Sequence, residues 1–172
     1  MQNLGYACMN MTLSSRPKKT RVTTNRSMIR RTFDARGIQY ASELALQNCI
    51  ELRKILDWNE QLGLRFYRLS SNIFPWASEY NLSDLPDYDQ IVEVLADCGD
   101  FADRHGHRLT SHPGPFNKLT SPKKHVIINT IKDLETHGEI FDLLNLSRTP
   151  YNKINIHAVS YTHLTLPTSD LV

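Results

Sequence analysis

An α/β fold, a partial (β/α)8 TIM barrel holding roughly the first four βα units, is predicted by three features of the sequence. Short apolar stretches alternate with longer stretches of helical period, and such alternation produces a parallel sheet with right-handed crossovers. Long polar loops follow the C-terminal end of each apolar stretch, which is where barrels carry their chemistry. No G-x-G-x-x-G follows the first stretch, which removes the main support for a dinucleotide-binding, doubly wound sheet. The chain has 172 residues, enough for one domain. A whole barrel needs about 250 residues, so a truncated one is expected.

The elements follow in order. Asn3 to Cys8 reads as the first strand, and a basic linker containing Thr23-Thr24-Asn25-Arg26 follows it. Tyr40 to Leu62 reads as a long helix, because Leu44, Cys49, Leu52, Ile55, Leu56 and Leu62 fall near a 3.6-residue period. Gly63 stands where a helix stop belongs. Leu64 to Leu69 is the second strand, followed by a loop from Ser70 to Pro86. Asp87 is the expected N-cap of a second helix carrying Ile91, Val94, Leu95, Cys98 and Phe101, ending at His105-Gly106. Arg108 to Ser111 is the third strand. Ser121 as N-cap, with Pro122 in the first turn, opens a third helix through Val126, Ile127, Ile131, Leu134, Ile140 and Leu144. Lys153 to His157 is the fourth strand.

Composition narrows the function classes. No apolar run approaches the ~20 residues of a membrane helix, and the N-terminus lacks the basic and apolar regions of a secretory signal. Cys8, Cys49 and Cys98 are odd in number and widely spaced. That pattern points to reduced thiols in a cytoplasmic protein, not to a disulfide framework or zinc knuckle. The net charge is only +2, but it is unevenly distributed. Lys and Arg recur from Arg16 to Arg36 against a single acid, Asp34, a distribution that suits a polyanion such as nucleic acid or a solvated loop.

The tail stands apart. Val159 to Thr168 is the translation of GTC TCT TAT ACA CAT CTG ACG CTG CCG ACG, a transposase adapter used in sequencing libraries. Residues 1–158 are therefore expected to be the N-terminal half of a barrel domain. Residues 159–172 are expected to be an artefact, excluded from fold reasoning together with His163.

The candidate chemistry sits at strand ends. Leu109-Thr110-Ser111-His112-Pro113-Gly114-Pro115-Phe116 is a strand that delivers a histidine into a turn, with an aromatic just beyond. Ile154-Asn155-Ile156-His157 delivers another. A histidine at a strand end, exposed as His112 is by a Pro-Gly turn with an aromatic just beyond, suggests a metal site facing a bulky substrate. Other residues have plainer readings. His105 and His107 are expected to be exposed at a helix end, and His125 and His137 to be surface or packing residues of the third helix. Trp76 is expected to pack beneath Glu79 and hold it, and the cysteines to be buried apolar groups. Ser70-Ser71 has no base placed beside it in a recognisable motif.

Taken together, these segments resemble the UV damage endonucleases. The matching stretches are Leu4-Gly5-Tyr6 with Asn10 and Thr12-Leu13, Thr23-Thr24-Asn25-Arg26, Arg68-Leu69-Ser70-Ser71 with Phe74-Pro75-Trp76-Ala77-Ser78, Arg108 through Gly114, Ser121-Pro122, and Ile154 through His157. They occur in the family's order and span nearly all of residues 3–157. The resemblance implies a (β/α)8 fold and several divalent metal ions, with manganese favoured. It also implies a monomer that cleaves UV-damaged double-stranded DNA on the 5′ side of the photoproduct. It places His112 and His157 on metal-ligand positions and Tyr6 and Asn10 on active-site positions. Pro115 and Phe116 fall on the pair that probes the lesion, and Arg26 and Lys118 are phosphate-contact candidates. The sequence departs from the family pattern at two points. Glu79 stands where a metal-ligand histidine is usual, and a carboxylate is the harder ligand. Pro115 stands where many relatives carry Gln, and it offers no side-chain amide, whereas Phe116 can still wedge a base step. Two other readings are another metal-dependent barrel, such as a sugar isomerase or AP endonuclease, and a non-catalytic DNA-binding module. The first would lack the basic segment and aromatic wedge, and the second would show no metal requirement.

Overall fold

The computed structural model describes residues 4–114 and 117–156. In chain order the elements are β1 (Gly5–Ala7), α1 (Met11–Ser14), α2 (Arg30–Gln61), β2 (Phe66–Arg68), α3 (Tyr88–His105), β3 (Arg108–Ser111), α4 (Lys124–Leu143) and β4 (Lys153–Ile154), with 3-10 turns at Ala77–Glu79 and Leu82–Asp84. The strands form one parallel sheet in the order β1-β2-β3-β4. Tyr6 pairs with Tyr67, Tyr67 with Leu109, and Thr110 with Lys153. A doubly wound sheet reverses direction at a switch point. Here each strand adds beside its predecessor, α2 packs on α3 and α3 on α4, so winding proceeds one way, as in a barrel.

The core forms where the apolar face of each helix meets the sheet. Leu52, Ile55 and Leu56 of α2 and Ile91 and Leu95 of α3 are fully buried, as are Tyr67 and Leu109 on the strands. Their i, i+3, i+4 spacing is the helical stripe read in the sequence. Gly99 lets α3 meet the end of α4, because a Cβ there would overlap the Leu144 carbonyl. Both expected glycine stops are present. After Gly63 the Leu64 N–H reaches the Asn59 carbonyl at 2.9 Å, and after Gly106 the His107 N–H reaches the Ala102 carbonyl at 2.7 Å, the bond that closes a Schellman turn.

The strands are shorter than expected, and the structure departs from the sequence reading in helix starts, in a cap and in one histidine. Helix α2 begins at Arg30, well before Tyr40, and bends at Gly37, whose φ is 64°. Its first turns carry Arg30 and Phe33 against Trp76, so a tertiary contact, not an apolar stripe, orders them. Helix α4 begins at Lys124, and Ser121 does not cap it; the Ser121 hydroxyl accepts the Lys123 N–H at 3.2 Å. Asp87 precedes α3 as expected, but its carboxylate takes the Ser42 hydroxyl at 2.7 Å, which pins α3 to α2. His107 is buried, not exposed. The Gly106 turn sends the chain straight back into the sheet, so the next side chain faces Phe101 and meets Glu60 at 2.8 Å.

No helix among the described residues is long and apolar enough to cross a membrane.

Candidate active site

The C-terminal ends of β1 and β2 carry a connected set of polar side chains. Tyr6 lies in the middle of β1 and is half-buried. Its hydroxyl donates to Asn59 Oδ1 at 2.6 Å and accepts from Asn10 Nδ2 at 2.7 Å. Asn10 in turn accepts the Leu13 N–H at 2.9 Å and so caps α1, a helix that the sequence pattern does not announce. Burial raises the Tyr6 phenol above its ordinary value, and the two amide bonds offset this in part. Tyr6 and Asn10, the two expected catalytic residues, are therefore one hydrogen-bonded unit fixed to α2 through Asn59.

A second unit lies beside it. Cys8, with φ of 62°, exposes its carbonyl to the Asn25 amide at 2.9 Å and to the Tyr67 hydroxyl at 3.1 Å. Thr24 donates to the Tyr67 oxygen at 3.2 Å, and Ser70 donates to Asn25 Oδ1. Tyr67 is buried edge-on to Tyr6, with ring centroids 5.2 Å apart, and burial raises its phenol strongly. These bonds explain Thr24-Asn25 and Ser70, which lock the basic loop to the ends of two strands.

At β3, His112 follows the last strand residue, Ser111. Its Nδ1 lies 3.0 Å from the Pro113 carbonyl. A carbonyl only accepts, so Nδ1 carries the proton and the lone pair of the neutral ring sits on Nε2, the nitrogen that would bind a metal. His137 of α4 is buried and lies 2.7 Å from the Ser111 hydroxyl. Burial holds its imidazole below the ordinary value, Asp133 opposes that, and His112 adds to it. In sequence His137 has no more than a surface or packing role. Its contact with the residue before His112 is visible only in three dimensions.

Glu79 ends a 3-10 turn and forms an ion pair with Arg30 at 3.0 Å. Trp76 does not touch that carboxylate through its indole N–H, which donates to the Met28 carbonyl at 3.0 Å. Its ring instead lies under the Arg30 guanidinium. Glu79 and Asp133 share a polar cleft with Ser71, Asn72 and Asn117. Asn117 Nδ2 donates to Asp133 at 2.5 Å.

Arg26 is committed inward, its guanidinium 2.7 Å from buried Glu51. Lys118 lies part-buried on the loop after β3, its N–H bound to Thr130 at 2.9 Å. His157, Pro115 and Phe116 lie outside the described residues. Among the described residues, no three His, Cys, Asp or Glu side chains come together as a metal-binding group. What these residues supply toward a metal is one oriented imidazole, His112, and a carboxylate held by Arg30.

Residues 2–163 match the family model of UV-endonuclease UvdE. A UV-damage endonuclease of Schizosaccharomyces pombe is 35% identical over 161 residues, covering 94% of this chain and 26% of its own length. One from Neurospora crassa is 45% identical over 117 residues, covering 66% of this chain and 17% of that protein. A putative UV-damage endonuclease of Acanthamoeba polyphaga mimivirus is 33% identical over 156 residues, covering 90% of this chain and 46% of that one. The chain thus spans less than half the length of these relatives. The crystal structure of SacUVDE shares the fold at a TM-score of 0.77 and 24% identity, over 94% of this chain and 51% of that one.

Proposed function

The chain belongs to the UV-endonuclease UvdE family, and from that premise we propose that it supplies half of the active-site face of a DNA repair endonuclease. The reaction is metal-dependent hydrolysis of a phosphodiester on the 5′ side of a UV photoproduct in duplex DNA. The observation that carries the reading is that Asn10, just beyond β1 and bound to Tyr6 on that strand, and His112, just beyond β3, follow the C-terminal ends of parallel strands in one barrel-type sheet.

His112 would bind a divalent ion, manganese first, through Nε2, with His157 and Glu79 as partner ligands among several ions. Bound there, such ions neutralise the phosphate, activate water and stabilise the leaving oxygen. Glu79 would do so only on releasing Arg30, which makes it the weaker ligand of the set. The Tyr6 hydroxyl spends its one donated hydrogen bond on Asn59, so toward substrate it presents an oxygen lone pair and the ring edge, not a donor. Asn10 fixes that orientation. Pro115 and Phe116 would enter the helix at the lesion, where a damaged step costs less to distort, and Lys118 would meet phosphate. The protein would act as a monomer.

The test is nicking of irradiated against unirradiated supercoiled plasmid by the complete gene product carrying this segment, with manganese or with chelator. The reading expects manganese-dependent nicking of irradiated plasmid alone, abolished by His112→Ala. Full nicking by a folded His112→Ala protein would overturn the role given to His112.

A further inference from the structure

The basic loop is not loosely held. Glu51 of α2 is only 3% exposed, yet it carries a carboxylate. One of its oxygens accepts the Thr23 N–H at 2.6 Å, and the other takes Arg26 Nη2 at 2.7 Å and Gln47 Nε2 at 3.0 Å. A buried carboxylate is tolerated only when paired and hydrogen-bonded, and here every partner is a loop group or a neighbour on the same helix. Arg26 also returns to the Arg21 carbonyl at 3.1 Å, and Val22 is tied to Leu13 at 3.2 Å. With Thr24 and Asn25 fixed to the ends of β1 and β2, residues 21–26 are held against α2, and the exposed turn at 17–20 projects from them.

That loop and α2 flank an open cleft of about 430 Å³, lined by Lys18, Lys19, Arg21 and Lys54 around Arg26 and Glu51. The inner pair neutralises itself. The outer four have no carboxylate within ion-pair distance among the described residues, and Lys18, Lys19 and Arg21 are exposed. Four like charges lining one pre-formed cleft repel one another, and the fold gives them no counter-charge, so a polyanion is the ligand that would relieve them.

We propose that this cleft is a docking track for the phosphodiester backbone of duplex DNA, in which Lys18, Lys19, Arg21 and Lys54 meet phosphates while Arg26, paired to Glu51, holds the track in shape. The loop that forms one side of it is tied, through Thr24 and Asn25, to Tyr67 on β2 and to Cys8 just beyond β1. The inference rests on the duplex-DNA reading above. It adds a sequence-independent and lesion-independent binding surface and assigns Arg26 a positioning role.

The test is binding of this chain to unirradiated duplex DNA at several salt concentrations. Each phosphate that the protein no longer neutralises lowers the slope of log K against log salt by ~0.9. Lys54→Gln should lower the slope by about that amount, and Lys18→Gln/Lys19→Gln/Arg21→Gln by about two to three times as much, with unchanged melting temperatures. Lys153→Gln, on β4 at the far edge of the sheet from β1, should leave the slope unchanged. Arg26→Gln should lower the slope although Arg26 itself meets no phosphate, and Arg26→Lys, which can keep the ion pair with Glu51, should restore it. Slopes unaltered by the cleft variants, or no salt-sensitive binding by the parent chain, would overturn the proposal. So would variants that lose binding to phosphatidylserine vesicles but not to duplex. None of these outcomes bears on nicking, so the endonuclease reading stands or falls separately.

Discussion

The Tyr6 hydroxyl donates to Asn59 Oδ1 at 2.6 Å across 53 residues of sequence. Asn59 is fully buried on α2, and its Nδ2 has no hydrogen-bond partner among the described residues. The amide is thus kept in the core, at a cost, for the one bond it makes to the first strand.

Tyr6→Phe should therefore do more than remove a hydroxyl. It leaves Asn59 Oδ1 and one hydrogen of Asn10 unpaired in a buried place, which should cost about 1–3 kcal/mol. Urea unfolding of the chain measures this. A loss near zero would mean that water replaces the hydroxyl and that the bond does not organise the site.

Gly99→Ala tests the junction of α3 and α4. The added Cβ would overlap the backbone carbonyl of Leu144, and backbone has little room to yield. Although alanine favours helix, overpacking of this kind should destabilise by about 1–3 kcal/mol. A melting temperature equal to or above that of the parent would show that α4 closes differently.

Acid should weaken the fold through His107. Burial holds its imidazole below the ordinary 6.5, with Glu60 opposing only in part. Its Nδ1 is buried without a partner among the described residues, so a proton added there would have no acceptor. The unfolded chain takes up that proton more readily than the folded one. The contribution to stability is therefore complete above pH ~6.5 and is lost as pH falls toward and through the folded value. His107→Gln should flatten the decline between pH ~7.5 and ~5.5 in urea titrations, leaving the part due to His137. An unchanged slope would remove His107 from the account.

His112→Gln in the complete gene product should abolish tight manganese binding at one site, read by electron paramagnetic resonance of the free ion. Retention of every manganese site would show that His112 Nε2 is not a ligand.

Much of the fold was legible because its signals are local. The apolar stripe through Cys49, Leu52, Ile55 and Leu56, the stops at Gly63 and Gly106, and the run Arg108–Ser111 each carry a short-range physical reason, whereas Leu62, expected on the stripe, caps the helix and is exposed. What could not be read depends on distant partners. Helix α2 extends back to Arg30 because Arg30 and Phe33 rest on Trp76, and His107 is buried because a turn aims it at Glu60. Tyr6, Asn10 and His112 could be singled out as candidates from the family resemblance. Asn59, His137 and Glu51 could not, because each looks like an ordinary helix residue until the fold brings Tyr6, Ser111 and Thr23 against it.

Lesion-directed cleavage is the reaction proposed for the face that carries Tyr6 and His112. The most direct measurement uses an end-labelled duplex with a single thymine dimer, incubated with the complete gene product and manganese, and maps the cut on a sequencing gel. The account predicts one incision immediately 5′ of the dimer, absent with chelator and absent on undamaged duplex. An uncut dimer duplex with folded, manganese-loaded protein, or cutting that ignores the lesion, would contradict it.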